Sequence, residues 1–384
     1  MLARWAFPAC LVPLSYRLHA ELAAEHGGAE RWGYRGLGCG SFAAKVTRLH
    51  LSEIGTKTEN GEPWRKLPKQ NATAKKMLRG QPLPADLDWV ERDLISSWEV
   101  MGNPGETETA QVHPYHFTTS IAEFARGAGV DIRTKTKVTN ISTAADGSKT
   151  VEYLDRENSE TKQLAELTDV VVAAGPWTGR VLPRSKIEGL RAHSVVYEAD
   201  VSPYAVFTDI DLPSDFVPEH RLNMGQKRKH KGNVDPEIYA RPFGEVYACG
   251  KFQSETRAGL AYTKQSAGEP DTALALPETA DEVKIDEAQC DDIIAYIKTI
   301  SSVLGAAPIK TKQACYLPRH MRFGDEAGPL IGETSVPRVW VAAGHSCWGI
   351  QNGPATGKLM SELLFDGVAS SADIDNLRPI SFKV

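Results

Sequence analysis

The 384-residue chain has no apolar run of the ~20 residues that a membrane-spanning helix needs, so nothing in it reads as a transmembrane segment. Cysteine is sparse. Cys10, Cys39, Cys249, Cys290, Cys315 and Cys347 form no CxxC pair and match no zinc spacing. A chain of this length does not need disulfides, which favours a reducing compartment. An excess of positive charge is also missing: the net charge is −5, which argues against a nucleic-acid binder. The one basic cluster, Gln226-Lys-Arg-Lys-His-Lys231, reads as a solvated loop. No Walker A sequence, no GxSxG and no HExxH beside His345 occur, so no metal site is expected. The opening MLARWAFPACLVPL is interrupted by Pro8 and Pro13, and no clean cleavage site follows it. The primary reading is therefore cytoplasmic. Because Arg4 and Arg17 precede the first acidic residue, Glu21, a mitochondrial presequence is the alternative.

What is present is a globular composition, with 41% hydrophobic and 24% charged residues, enough for one large domain or two. Leu14, Leu18 and Leu22 predict a helix stopped at Gly27-Gly28. Phe117, Ile121, Phe124 and Ala128 predict a second helix, ended by Gly129. Short strands are expected at Val130–Arg133 and Lys137–Ile141, with hairpins turning at Asp146-Gly147 and at Pro242–Gly244. Ile293, Ile294, Ile297, Ile300 and Leu304 predict one helical face before Gly305. Residues 55–105 read as an excursion with short helices.

Two segments are near copies. Asp169-Val-Val-Val-Ala-Ala-Gly175 and Val339-Trp-Val-Ala-Ala-Gly344 are continuous apolar runs, the pattern of strands buried on both faces of a parallel sheet. The second leads into Gly344, Gly349 and Gly353, where a chain can approach a ligand closely. Pro354 suits the first position of a helix carrying Leu359, Met360, Leu363 and Leu364. Such a helix start favours an anionic or carbonyl-bearing ligand. The front of the chain offers only Gly38-Cys-Gly-Ser-Phe-Ala43 as a partial GxGxxG, and its flanks make it part of a sheet instead.

The pieces Gln111-Val-His-Pro114, Val170-Val-Val-Ala-Ala-Gly-Pro-Trp177, Gly328-Pro-Leu-Ile-Gly332 and Gly344-His-Ser-Cys-Trp-Gly349 together resemble the D-amino-acid oxidase/sarcosine oxidase (DAO) family of FAD-dependent oxidoreductases. Leu2-Ala-Arg-Trp5, Pro13-Leu-Ser-Tyr-Arg-Leu-His19 and Arg191-Ala-His-Ser194 resemble a fungal branch linked to late-endosome-to-Golgi retrograde traffic. The resemblance implies a mixed α/β fold, α+β in character. It would comprise an FAD/NAD(P)-binding Rossmann-like domain at 1–30, 110–185 and 325–384, and an antiparallel-sheet substrate domain at 31–109 and 186–324. Family members open with a βαβ dinucleotide unit that this sequence does not show. About 40 to 60 residues are expected to be missing, and FAD binding by the chain as written is expected to be weak.

The implied chemistry is hydride transfer from a CH–NH bond of an amino acid or amine to flavin N5. Two alternatives stay open: a catalytically silent protein with trafficking partners contacting loops 55–105 and 226–236, or an inert fragment. By position, main chain at Gly344, His345, Gly349, Ile350, Gln351, Asn352 and Gly353 would hold the flavin ring. Ala174 and Gly175 would approach the phosphates, and Val138 the adenine. Arg4, Arg241 and Arg319 are the candidate forks for a substrate carboxylate, each with a structural arginine as the alternative. Trp5 and Trp348 could wall the flavin or fill a core. His193 could face the ring, although a buried, hydrogen-bonded histidine is the preferred reading. Cys315 stands near the place where some members bond covalently to flavin, with Arg319 as the activating charge. An inert thiol and non-covalent FAD are preferred.

Overall fold

The structure, a computed structural model, describes residues 1–56, 82–102, 108–225, 233–250 and 276–384. The basic cluster and most of the loops at 55–105 and 226–236 lie outside them. The fold is mixed α/β and rich in antiparallel pairing. Its largest element is an eight-stranded sheet. In spatial order its strands are Asp325–Ala327, Ile309–Arg322, Ile187–Glu198, Glu245–Cys249, Glu237–Arg241, Tyr204–Asp211, Gly38–Lys45 and Ile95–Val100. Only Tyr204–Asp211 and Gly38–Lys45 run parallel. The partial glycine motif at 38–43 is thus a strand, and its glycines have a packing cause. A Cβ on Gly38 would stand 2.3 Å from the Tyr204 ring, and one on Gly40 2.4 Å from the Trp98 ring. The glycines seat cross-strand aromatics.

One face of this sheet is covered by the helix Glu287–Lys298, whose Ile293 and Ile297 pack on Val195, Tyr197, Ile238 and Val246. The single helical face expected over 293–304 is two helices, Glu287–Lys298 and Ser302–Ala306. The break comes at Ser301, whose hydroxyl accepts from the Leu304 amide at 3.0 Å and so caps a new helix. The hairpin tip Pro242–Gly244 turns as expected, with Phe243 and Gly244 both at positive φ. It docks on the loop after Trp32, where a Cβ on Gly33 would meet Pro242 at 2.2 Å.

The two Ala-Ala-Gly segments lie side by side. Val339, Trp340 and Val341 pair in parallel with Val170, Val171 and Val172, and Leu330–Glu333 adds an antiparallel third strand. Burial on both faces is met for one strand only: Val341 and Ala343 pack in one cluster and Trp340 and Ala342 against another. In its partner Val171 is 41% exposed, so there the described residues cover only one face. A meander of Thr136–Thr143, Lys149–Asp155 and Glu160–Leu167 forms the remaining sheet outside the N-terminal strands. Val130–Arg133 is not a strand. Arg133 instead bonds Asp131 at 2.8 Å and the Tyr153 hydroxyl at 2.7 Å, which holds the segment as a loop.

The helix Val12–His26 ends as expected at Gly27, φ 64°, and packs on the C-terminal helix Gly349–Phe365. Pro354 is not at the first position of that helix but inside it. A proline there has no N–H for the carbonyl four residues back. That carbonyl, Ile350, receives the His19 Nε2–H at 3.0 Å, and the same nitrogen reaches Gln351 O at 3.2 Å. The Ser15 hydroxyl donates to Gln351 O and accepts from the Ala355 amide at 3.3 Å, so it is inserted in the helical ladder. Two side chains of one helix thus complete the first turns of the other.

His19 therefore carries its proton on Nε2 and is neutral. Burial lowers its pKa from 6.5 to about 4. An unfolded chain takes up that proton near pH 6.5 and the folded chain only near 4. Stability must fall as the pH drops through this window, by about 1.4 kcal/mol per pH unit. His19→Gln keeps an N–H donor that does not titrate. Between pH 7 and pH 5 its urea midpoint should fall less than the parent's, and an equal fall would contradict this role.

Candidate cofactor and substrate site

Parallel pairing delivers the ends of both strands to one edge, so Ala174-Gly175 and Gly344-His345 lie at the same level. Both glycines take the left-handed region, Gly175 at φ 53° and Gly344 at φ 90°. A Cβ on Gly344 would press on His320 and Ile187 at 3.2 and 3.3 Å, so the turn is supported from behind. Gly175 and Gly353 face open space, and Gly349 has only His345 near it, at 3.9 Å. A cleft of about 260 Å³ opens beside the turn, lined by Phe7, Pro329, Gly344, His345, Ser346 and Trp348 among others. Three buried polar atoms around it have no hydrogen-bond partner among the described residues: Trp5 Nε1, His345 Nδ1 and Asn352 Oδ1. Burial pushes His345 down to about 4, so it is neutral at physiological pH.

The Gln351 side chain and the amide nitrogen of Asn352 are committed to structure. Gln351 accepts from the Ala3 amide at 2.6 Å and donates to the Ala3 carbonyl at 2.8 Å. Asn352 donates to Phe7 O at 2.9 Å. Ile350 packs with Leu2, Trp32 and Phe117. This latch carries Trp5 to the turn, where its ring meets Trp348 edge-on at 5.8 Å. Contacts continue to Phe207 at 6.4 Å, Tyr239 at 6.1 Å and Tyr247 at 6.0 Å, across the sheet face opposite the helix Glu287–Lys298.

The three candidate arginines separate. Arg241 lies over the Tyr247 ring at 4.2 Å, beside this aromatic row. Its nearest acid, Glu245 at 3.9 Å, is already bonded by His113 at 2.9 Å and Lys310 at 2.6 Å. Burial lowers the Arg241 pKa, yet a guanidinium stays charged. Arg319 is buried and bonded to Glu188 at 3.2 Å, with a β-bridge to His345. Arg4 is exposed and stacks on Tyr16, 5.1 Å from its centroid, away from the row. His193 does not join the site. It shares the helix-covered face with Val195 and Tyr197, and its Nε2 accepts the Asp286 amide at 3.1 Å. Val138 sits 42% exposed in the meander sheet, apart from the turn. Sequence reasoning passed over Ser15, His19, Glu237, Tyr239 and Tyr247. Pro354 signalled the first two, and hairpin alternation signalled the rest.

A family model described as FAD dependent oxidoreductase (DAO) matches residues 9–363. The chain belongs to this family. TDA3 of Saccharomyces cerevisiae, an oxidoreductase by name, is 30% identical over 480 aligned residues, covering 99% of this chain and 84% of that protein. A Schizosaccharomyces pombe relative, also an oxidoreductase by name, is 29% identical, covering 96% of this chain and 81% of its own. Among solved structures, glycine oxidase from Geobacillus kaustophilus aligns over 98% of this chain and 85% of its own, with TM-score 0.61 and 18% identity. An L-alpha-glycerophosphate oxidase from Mycoplasma pneumoniae with FAD bound aligns over 91% of this chain and 79% of its own, with TM-score 0.50 and 15% identity. These similarities establish the fold.

The cofactor of the DAO family is FAD, and the turn suits it. Gly175 and Gly353 leave room, and the unpartnered Asn352 and His345 atoms offer polar contacts. Cys315 does not carry the activating environment expected of a flavin-linking thiol. Its thiol is exposed although the atoms around it push its pKa up, and Arg319 is turned to Glu188 instead.

The latch makes a test. Gln351→Leu leaves the Ala3 amide and carbonyl without side-chain partners, which should cost about 2–5 kcal/mol. Near-ultraviolet circular dichroism should also lose the Trp5–Trp348 signal. An unchanged melting temperature would show that the latch contributes nothing.

Proposed function

We propose that this chain uses FAD, held non-covalently, to oxidise a CH–NH bond of an amino acid or amine. The observation that supports the reading most is the parallel pairing of Val339–Val341 with Val170–Val172, which brings two left-handed glycines and the turn before the helix Gly349–Phe365 to one edge. Bound there, FAD would supply the hydride acceptor. The chain's own residues do the positioning. Main chain at Gly175, Gly344, Gly349 and Gly353 is left accessible, because those four residues have no side chain. Trp5 and Trp348 form an apolar wall that excludes water from the reacting carbon. Arg241, whose pairing with Glu245 is loose at 3.9 Å and whose acid is also held by His113 and Lys310, is the arginine best placed to fork a substrate carboxylate. His345 stays neutral, so it orients by a dipole and adds no charge.

Flavin fluorescence should be quenched on titration with the purified chain, and acid precipitation should release all the flavin to the supernatant. Gly353→Phe fills space that no described residue occupies within 4 Å of its Cβ. It should weaken FAD binding at least about tenfold, a loss of ~1.4 kcal/mol, with the melting temperature unchanged. Turnover is read as peroxide release or dye reduction across a panel of amines and amino acids. No quenching at a large excess of FAD, together with no turnover, would overturn the reading.

A further inference from the structure

The aromatic row ends at a carboxylate that the reading above leaves unused. Glu237, Tyr239 and Arg241 alternate along one strand and so present the same face. Their neighbours across the hairpin are Cys249, Tyr247 and Glu245. Phe207 stands opposite Glu237 on the other side, so rings run without interruption from Trp348 through Trp5 and Phe207 to Tyr239. The Tyr239 hydroxyl donates to Glu237 Oε2 at 2.6 Å, and the Cys249 thiol approaches the same oxygen at 4.0 Å. Both donors are neutral. Among the described residues no lysine, arginine or histidine pairs with Glu237. Glu245, on the same hairpin, draws His113, Lys310 and Arg241. A half-buried carboxylate with only neutral donors is a poor resting state and a good receptor for a cation.

We propose that Glu237 receives the amine of the substrate, and that Glu237 and Arg241 together select a molecule whose amine and carboxylate are several bonds apart. The inference rests on the reading of this space as the substrate chamber. The spacing argument is simple. Four residues of strand separate the two Cα atoms by about 13 Å. The guanidinium lies over Tyr247, which pairs with Tyr239, so the charged ends are closer than their backbones. A single carbon separates the charges of an α-amino acid, which is too short to engage both ends. An ω-amino acid, or an amine substituted with a remote acid, spans them.

Binding to the full chain can be followed by tryptophan fluorescence without flavin, using glycine, γ-aminobutyrate, ε-aminocaproate and caproate as probes. ε-Aminocaproate should bind at least about tenfold tighter than glycine and than caproate, the scale of one charge-assisted hydrogen bond. Glu237→Gln should erase the advantage of ε-aminocaproate over caproate and leave caproate itself unchanged, which also reports that the variant is folded. If that variant loses caproate binding too, Glu237→Asp is read in its place and should keep part of the advantage. Glycine binding as tightly as ε-aminocaproate would overturn the proposal, as would an amine advantage that survives Glu237→Gln, or no amine advantage in the parent or in Glu237→Asp. Because these readouts need no flavin, a chain that selects ε-aminocaproate yet never reduces FAD would sink the proposed activity alone.

Discussion

A proline placed inside a helix governs the arrangement of this site. Pro354 deprives Ile350 of a helical partner, which His19 from the N-terminal helix replaces, while Ser15 bridges the neighbouring Gln351 carbonyl and Ala355 amide. Because the repair comes from another segment, the two helices are locked in register. That register sets Gln351 against Ala3 and places Trp5 on Trp348. The glycine turn and the aromatic wall are thus positioned by one set of short, buried polar contacts. Such contacts stabilise only while every donor and acceptor is matched, which is why a neutral His19 matters beyond its own hydrogen bond.

The other side of the chamber is built on a different principle. The eight-stranded sheet buries one face under the helix Glu287–Lys298 and turns polar and aromatic side chains from its hairpin toward the turn. Charge there is unevenly satisfied. Burial works to raise the Glu245 pKa, but hydrogen bonds from Lys310 and His113 outweigh it and bring it down. His113 is itself held neutral by burial and caps the helix Pro114–Gly127. This pair ties the sheet to the segment at Gln111–Pro114, so the mouth of the chamber is framed by a closed network. In our proposal Arg241 and Glu237 are the groups that take up the ligand.

The paired Ala-Ala-Gly strands were legible because continuous apolar residues tipped by small ones have few other uses. The partial glycine motif at 38–43 was legible as a sheet from its flanks, although its cause, the Tyr204 and Trp98 rings, is tertiary. The split of the 293–304 helix was hidden because Ile300 and Leu304 keep helical spacing across the break at Ser301. Whether His193 faces the ring could not be read from sequence, since its side is settled only by Val195 and Tyr197 packing on the helix. Arg4, Arg241 and Arg319 cannot be ranked from sequence, since what separates them is the partner each finds in space. The division into cofactor and substrate units remains our proposal.

The hairpin tip has a consequence for how the protein tolerates change. Pro242 fills the notch left by Gly33, and Phe243 lies edge-on to His116 at 5.3 Å. Both strands of that hairpin bear the chamber's charged residues. Their length is therefore gauged at the far end by a fitted stop. One residue inserted between Arg241 and Glu245 would leave the tip unable to seat, or would shift one strand past its mate by a single step. In the second case Tyr247 and Cys249 would turn away from the chamber toward the helix-covered face. Loop variation that could retune the site must therefore enter elsewhere, and the tip acts as the ruler by which the whole ribbon is cut.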